Sequence, residues 1–206
     1  FRSGAPVETV DQAVNRLGFG ALREVASQAA MSVAMPPHPA YAETFERLQR
    51  HAVVVAQCTR PVAKLAMVRD GHAYLAGLFH DVGFGAVLML LSDVYGDDAP
   101  PLEEAWPEID RIHGSVGWHL MRQWGLPEPL PTLARQHHEA ERPESMTADI
   151  VSVADHLAAA VGAGLGEAAD AQDARLVDRA LFRLGMSASD LDQLEAEARA
   201  IAEKNA

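Results

Sequence analysis

The sequence predicts an all-α protein, and three observations support this fold class. Alanine and leucine, which favour helices, are abundant, whereas aromatic residues account for only 6% of the 206 positions. Apolar residues recur at spacings of three and four along most of the chain, as they do on one face of a helix. The short runs of valine and isoleucine lie inside these stretches, so we predict no β-strand.

The predicted helices are separated by glycine, proline and turn residues. Gly18 is expected to end the first helix, and the prolines at positions 36, 37 and 39 form a break that no helix crosses. Pro61 lies inside a long helical pattern and should kink or split it. Thr147 and Ser187 are expected to cap the helices that they precede. Read in order, the pattern predicts helices over residues 6–17, 21–35, 41–68, 72–91, 107–124, 130–138, 147–163, 173–184 and 189–204.

The helix predicted over residues 72–91 is apolar on almost every side, so we expect it to be the central buried element. The adjacent pair His80 and Asp81 lies inside this apolar run. Burying a charged carboxylate is costly unless a cation or a hydrogen-bond donor compensates it. A bound metal ion would provide that compensation.

The length of the chain suits one domain or two closely packed helical subdomains. We predict a helical core over residues 1–160 and a C-terminal helical extension over residues 161–206 that packs on it. The glycine-rich segment 162–166 lies between them. No strand precedes this segment and no phosphate-loop lysine follows it, so we interpret it as a flexible connector.

Charge and hydropathy exclude several classes of partner. The formal net charge of -12 argues against binding nucleic acid or an anionic membrane surface through a basic field. No segment has the uninterrupted apolar length of a transmembrane helix, and no signal peptide is visible. The single cysteine, Cys58, cannot form an internal disulfide, and we interpret it as a small buried apolar residue. These features predict a soluble, cytoplasmic protein.

A set of imidazole and carboxylate side chains, spread over different predicted helices, carries the functional prediction. These ligand types bind iron, manganese and zinc, and the helices of a bundle can bring them together from distant positions. We therefore predict a site for one or two divalent metal ions. The candidate ligands are His51, His80, Asp81, His113, His137, His138 and Asp155.

Two alternatives need no metal ion. The same residues can form a hydrogen-bonded polar network at the centre of the bundle, which is stable when every member is satisfied. In a purely structural scaffold, His80 and Asp81 would support folding and nothing else. The residue types alone are compatible with all three interpretations.

Several segments together resemble the HDOD domain, an all-helical bacterial signalling relative of the HD metal-dependent phosphohydrolases. The resemblance extends from about Phe1 to Leu157, and the paired histidines that the family carries fall at His137 and His138. The other matching segments are residues 10–18 (family pattern A-I-x-x-L-G), 77–83 (GLLHDIG), 112–117 (H-x-x-x-G) and 124–127 (W-x-L-P).

This resemblance implies an HD-type multi-helix bundle with a metal site. In the family pattern, further helices precede the matching region, so we expect the chain to be an N-terminally incomplete fragment. By resemblance to the HD superfamily, the primary metal ligands are His51, His80, Asp81 and Asp155. The additional ligands found in binuclear members match His113 with His137 or His138. In an active member, the metal ions would orient a phosphate and lower the pKa of a bridging water. Asp81 would then be both a ligand and an electrostatic anchor.

Departures from the active HD-GYP phosphodiesterases favour regulation over catalysis. Phe84 stands where those enzymes carry a lysine close to the substrate phosphate, and phenylalanine cannot neutralise a phosphate. The residues after Glu139 contain no GYP segment. Arg47 stands where that subfamily can place an acidic ligand. We therefore predict no hydrolysis of cyclic-di-GMP and no catalytic residue.

The leading hypothesis is a non-catalytic bacterial signalling domain whose partners are signalling proteins. A nucleotide second messenger is an additional candidate ligand, and a homodimer is left open. The alternative is a metal-dependent phosphohydrolase that acts on a nucleotide or cyclic nucleotide. The two hypotheses differ in whether the predicted site turns over a phosphodiester.

Overall fold

The computed structural model describes residues 10–139, 141–165 and 171–206, which form nine α-helices and no strand. The predicted all-α fold class is thereby confirmed. Two short 3-10 turns, Pro39–Tyr41 and Gly96–Asp98, lie between helices. The helices are α1 (Val10–Ala34), α2 (Ala42–Leu65), α3 (Ala73–Phe79), α4 (Val82–Tyr95), α5 (Leu102–Gln123), α6 (Leu130–Gln136), α7 (Met146–Ala160), α8 (Ala171–Leu184) and α9 (Ala188–Lys204).

The chain divides into two compact units, residues 1–34 and residues 35–206. The first unit contains α1, whose helical path is interrupted at Gly18 with φ 81° and ψ 159°. Glycine adopts this conformation readily because it has no Cβ. The break falls where the sequence predicted the end of the first helix. The predicted start of that helix, at Pro6, lies outside the described residues.

In the second unit, α2 is the central helix. It packs against α3, α7 and α9, while α5 packs between α4 and α6 and α8 packs on α7. Pro61 lies within α2, which continues past it to Leu65. Residues of α8 and α9 therefore share a unit with the preceding helices. The predicted division of the chain at residue 160 stays a prediction.

The apolar run after residue 72 is two helices rather than the single predicted helix. The helix α3 ends at Phe79 and α4 begins at Val82, so His80 and Asp81 occupy the bend between them. Contrary to our expectation, the stretch Ala73–Asp98 is long and apolar enough to cross a membrane. However, 72% of its most apolar part is buried inside the protein. Nε2 of His80 and Oδ2 of Asp81 lie 3.3 Å apart at this bend, although consecutive residues of a straight helix diverge by about 100°.

Some predicted helix ends also differ in the structure. The helix α5 begins at Leu102, after Pro101, and Pro107 lies inside it. Ser145, rather than Thr147, caps α7 by accepting a hydrogen bond from the backbone N–H of Ala148. Ser187 caps α9 as predicted.

Beneath the bend, an apolar cluster joins α2, α4 and α5. All of its members are less than 8% exposed. Close packing of this kind leaves side chains and backbones little freedom, so it fixes the positions of the three helices. The members are Tyr41, Phe45, Leu48, Phe84, Val87, Leu88 and Ile109.

Candidate metal centre

The carboxylate of Asp81 lies at the centre of four buried imidazoles. Its Oδ2 atom is 3.4 Å from Nε2 of His51 and 3.3 Å from Nε2 of His80. Its Oδ1 atom is 3.6 Å from Nε2 of His113 and 3.0 Å from Nε2 of His137. The predicted ligands on α2, on α5 and at the ends of α3 and α6 are therefore brought together around one side chain.

The remaining two predicted ligands lie at the edge of this cluster. Oδ1 of Asp155, on α7, is 3.4 Å from Nε2 of His51, and the ring of His138 lies 4.0 Å from the ring of His137. The side chain of Asp155 is 35% exposed, whereas that of Asp81 is 8% exposed. The cluster therefore meets solvent on the side of Asp155.

The ligand atoms fall into two groups that share Asp81. The first consists of His51, His80 and Asp81, with Asp155 beside it. In the second, each residue offers one ligand atom and all of these atoms lie within 4.8 Å of one another; its members are Asp81, His113, His137 and His138. We call these the first and the second ligand group.

Two glycines allow the helices to approach closely enough to form the second group. A Cβ atom on Gly83, in the first turn of α4, would lie 1.9 Å from the carbonyl oxygen of His113. A Cβ atom on Gly114 would lie 3.0 Å from the carbonyl oxygens of Ala134 and Arg135. Hydrogen atoms at these positions let α4 touch α5 and let α5 touch α6. The backbone contacts thus place His113 beside Asp81.

Backbone carbonyls hold all four buried imidazoles in one tautomer. Nδ1 of His51 lies 2.9 Å from the carbonyl of Ala163, and the Nδ1 atoms of His80, His113 and His137 each contact a carbonyl three residues earlier in the chain. A carbonyl oxygen can only accept a hydrogen bond, so each Nδ1 carries the proton. In the neutral form of each imidazole, Nε2 then points its lone pair at the cluster, as a metal-ligating histidine does.

This arrangement leaves electron pairs facing each other in the second group. The Nε2 atoms of His113 and His137 are 3.4 Å apart, and neither has a proton to donate in this tautomer. Oδ1 of Asp81 is fully buried and receives no hydrogen bond. Such a set of acceptors is unfavourable without a cation between them. The residues present therefore fit a divalent metal ion better than a metal-free polar network in which every group is hydrogen-bonded.

The pKa values distinguish the two ligand groups. Burial lowers the pKa of His80, but the charge and hydrogen bonding of the adjacent Asp81, with smaller contributions from Asp155 and the carbonyl of Gly77, together outweigh burial and raise this pKa to about 9. Burial raises the pKa of Asp81, but the charge of His80 and the approach of the imidazoles hold it well below its usual range. Burial lowers the pKa of His113, and it lowers that of His137 to about 3. At neutral pH the metal-free protein thus keeps a proton on His80 and none on His113 or His137.

Metal affinity of the first group should rise with pH. A metal ion must displace the proton on Nε2 of His80, whose pKa is about 9. Below that pKa, each unit increase in pH removes a competing proton and should tighten apparent binding by about tenfold, and the effect should level off above it. Calorimetric titration in buffers of different ionisation enthalpy should detect about one proton released per ion near pH 7.5. Affinity that does not change between pH 7 and 8.5 would contradict this assignment.

The glycine-rich segment after α7 is anchored rather than free. In its described part, the carbonyls of Gly162, Ala163 and Leu165 accept hydrogen bonds from side chains on α2. The donors are Arg50, His51 and Arg47, respectively. The interpretation of this segment as a flexible connector is therefore wrong for residues 162–165, because side chains of α2 hold its backbone and the carbonyl of Ala163 fixes the ring of His51. Residue 166 lies outside the described part of the chain.

Phe84 has a packing position beside the second group. Its ring stacks on the ring of His113 with centroids 4.1 Å apart, and on Trp106 at 5.0 Å. It is 4% exposed. Phe84 thus buttresses a candidate ligand instead of presenting a charge to solvent.

A buried polar cluster behind His137 was missed from the sequence. Arg142 is 5% exposed and donates a hydrogen bond to the carbonyl of His137, and Asp149 is 1% exposed and pairs with Arg142. Ordinary charged residues near a predicted loop give little signal in a sequence. The only indication was that Arg142 lies four residues after the paired histidines.

An all-α bundle with histidines and aspartates converging at a helix bend defines a protein of the HD type. A model of the HDOD domain matches residues 1–140. The chain belongs to the HDOD family, within the HD superfamily, and the resemblance found in the sequence is confirmed.

Solved structures share the fold. A Shewanella amazonensis SB2B protein, provisionally assigned as a metal-dependent phosphohydrolase, has a TM-score of 0.73 at 17% identity, over 98% of this chain and 74% of that one. An HDOD domain protein of unknown function from Geobacter sulfurreducens has a TM-score of 0.64 at 22% identity, over 100% and 77%. At these identities the likeness establishes the fold alone.

Two curated relatives are both named Ribonuclease Y. The protein of Syntrophotalea carbinolica is 26% identical over 86% of this chain and 33% of its own length. That of Acholeplasma laidlawii is 27% identical over 64% of this chain and 21% of its own length. The chain thus spans a third or less of the curated relatives that it matches.

Proposed function

We propose that this HDOD domain is a regulatory module that binds divalent metal ions at the two ligand groups sharing Asp81. The observation that supports this most strongly is the set of tautomer-locked imidazoles, because their Nε2 lone pairs and the buried Oδ1 of Asp81 lack any other positive partner in the second group. Mixed nitrogen and oxygen ligands suit manganese, iron or zinc.

The two ligand groups would each hold one metal ion with nitrogen and oxygen ligands. The first group offers two imidazoles and two carboxylates, including the partly exposed Asp155. The second offers three imidazoles and the other oxygen of Asp81. Bound ions would supply Lewis acidity towards a phosphate or another anionic ligand. The solvent-facing side at Asp155 is where such a ligand would enter.

Regulation is proposed over catalysis because of Phe84. In the resembling phosphodiesterases, a lysine at this position lies close to the phosphate; here the side chain is apolar, buried and stacked on His113. A ligand could bind the metal ions without the positive charge that helps to neutralise the phosphate. Signalling proteins as partners, a nucleotide second messenger, a homodimer and a cytoplasmic location remain part of this proposal.

A second candidate function is metal-dependent phosphodiester hydrolysis. It is favoured by the complete ligand set and by the exposure of Asp155, which leaves room for water and substrate. The name of the curated relatives, Ribonuclease Y, makes RNA a phosphodiester to include among the trial substrates. The net charge of -12 weighs against RNA.

Metal analysis followed by a hydrolysis assay separates these functions. We expect the purified protein to bind manganese, iron or zinc and to show no metal-dependent turnover of a nitrophenyl phosphodiester, a cyclic dinucleotide or RNA, because no cation occupies the position of Phe84. Asp81→Ala serves as the metal-site variant, and Asp93→Ala, which changes an exposed aspartate on α4, is the matched control. Turnover that Asp81→Ala abolishes and Asp93→Ala retains would overturn the regulatory proposal.

A further inference from the structure

Arg142 lies directly behind the second ligand group. It is in the segment between α6 and α7, and its Nη1 atom donates a 2.7 Å hydrogen bond to the carbonyl of His137. Nη2 of Arg142 contacts the carbonyl of Ala148 at 3.1 Å and Oγ of Ser152 at 2.8 Å. One buried guanidinium thus ties the backbone of a candidate ligand to the first turns of α7.

Asp149 continues these contacts to α8. Its Oδ1 atom lies 3.3 Å from Nη2 of Arg142, and its Oδ2 atom accepts a 2.8 Å hydrogen bond from Nε of Arg183. A second contact, from Nη2 of Arg183 to Oδ1, makes that pair bidentate. Bidentate arginine–carboxylate pairs fix orientation as well as charge. An unbroken series of polar contacts therefore runs from α8 to His137.

These contacts hold the main chain of His137 through its carbonyl oxygen. The ring is already fixed by the hydrogen bond from Nδ1 to Ala134, so its remaining freedom is movement of the backbone that carries it. The helix α6 ends at Gln136, one residue earlier, so the carbonyl of His137 lies beyond the helix. The buried guanidinium of Arg142 holds this carbonyl in place.

We propose that Arg142 is a positioning residue for His137, and that the contacts Arg142–Asp149–Arg183 make metal binding at the second group depend on α8. The inference rests on the proposed metal binding. It assigns no contact between Arg142 and a metal ion. It predicts that the two ligand groups respond differently to changes in Arg142, since the hydrogen bonds of Arg142 go to His137 and to residues of α7 and not to His51 or His80 in the described part of the chain.

Metal titration of full-chain variants tests this dependence. With manganese or zinc, we expect Arg142→Gln to lower affinity at the second group by about 10–100-fold, the usual effect of losing an outer partner of a ligand, and to leave the first group within about threefold of wild type. Arg142→Lys should restore part of the loss. Arg175→Gln, which removes an exposed charge from the same helix as Arg183, is the matched control. A folded Arg142→Gln protein that binds both ions as wild type does would overturn the proposal.

Two further measurements keep the test decisive. Arg183→Gln leaves the Arg142–Asp149 pair in place, so it should fold even where Arg142→Gln does not, and should weaken the second group towards the lower end of the same range. Long-range ¹H–¹⁵N NMR of the metal-free protein should show the ring nitrogen signals of His137 shifted in Arg142→Gln, because its backbone moves, and those of His51 unchanged. If wild type binds no metal, the proposed function fails, and this spectrum still decides whether Arg142 positions His137; an unchanged His137 signal would overturn that role.

Discussion

Asp81→Asn is expected to weaken metal binding at both ligand groups at once. Each oxygen of the carboxylate faces a different group, so a neutral amide removes the negative charge from both and places an N–H₂ donor in one of them. Losing an outer hydrogen bond of a ligand costs about 10–100-fold in metal affinity, and loss of this shared ligand should cost more. No other candidate ligand in the described part of the chain belongs to both groups.

Thermal unfolding with and without metal measures this effect. At a free metal concentration of about 100 times Kd, binding to the folded state contributes about 2.7 kcal/mol, or roughly 5–10 °C in Tm for a chain of this size. Wild type should show this increment and Asp81→Asn should lose it. Asp155→Asn is an informative comparison, because it affects the first group alone and should leave the second ion bound. An Asp81→Asn protein that keeps the full metal-dependent increase in Tm would contradict the assignment of Asp81 as a shared ligand.

Gly83→Ala is expected to destabilise the protein more than any other single-methyl addition considered above. The added Cβ would lie 1.9 Å from the carbonyl oxygen of His113 and 2.8 Å from the backbone N of Gly117. Both neighbours are backbone atoms of α5, so no side chain can rotate away and the two helices must separate. Overpacking usually costs 1–3 kcal/mol, and this case should reach about 3 kcal/mol or more.

The separation should also disturb the second ligand group, because His113 moves with α5. We expect Gly83→Ala to lower Tm by roughly 6–12 °C and to weaken the second metal ion more than the first. Gly71→Ala is the matched control, since a Cβ there meets nothing within 4 Å. A Gly83→Ala protein that melts within about 1 °C of wild type would show that the α4–α5 contact is looser than the structure indicates.

The candidate ligands could be predicted from the sequence because their chemistry is specific to residue type. Histidine and aspartate inside an apolar run, such as His80 and Asp81, need a cation or a hydrogen-bond partner in any fold that buries them. Gly18 and Ser187 were equally informative, since left-handed backbone and helix capping have strong residue preferences.

Other features gave no comparable signal. The bend at residues 80–81 was missed because the apolar pattern runs through it without a proline or a change of period. The contact between His51 and the carbonyl of Ala163 could not be predicted from residue types, because every residue has a backbone carbonyl. Arg142 and Asp149 looked like surface charges, and only their partners in space make them part of the site.

The hydrogen bond from His51 to Ala163 joins positions 112 residues apart, and it has a practical consequence for anyone who trims this chain. A recombinant fragment ending at residue 140, where the family match stops, would lack Asp155 and the acceptor that orients His51. Without that acceptor the ring of His51 would turn freely, and either ring nitrogen would carry the proton. A fragment with the boundaries of the family match would therefore lose part of the candidate metal centre. A fragment that keeps the whole centre must extend past residue 163.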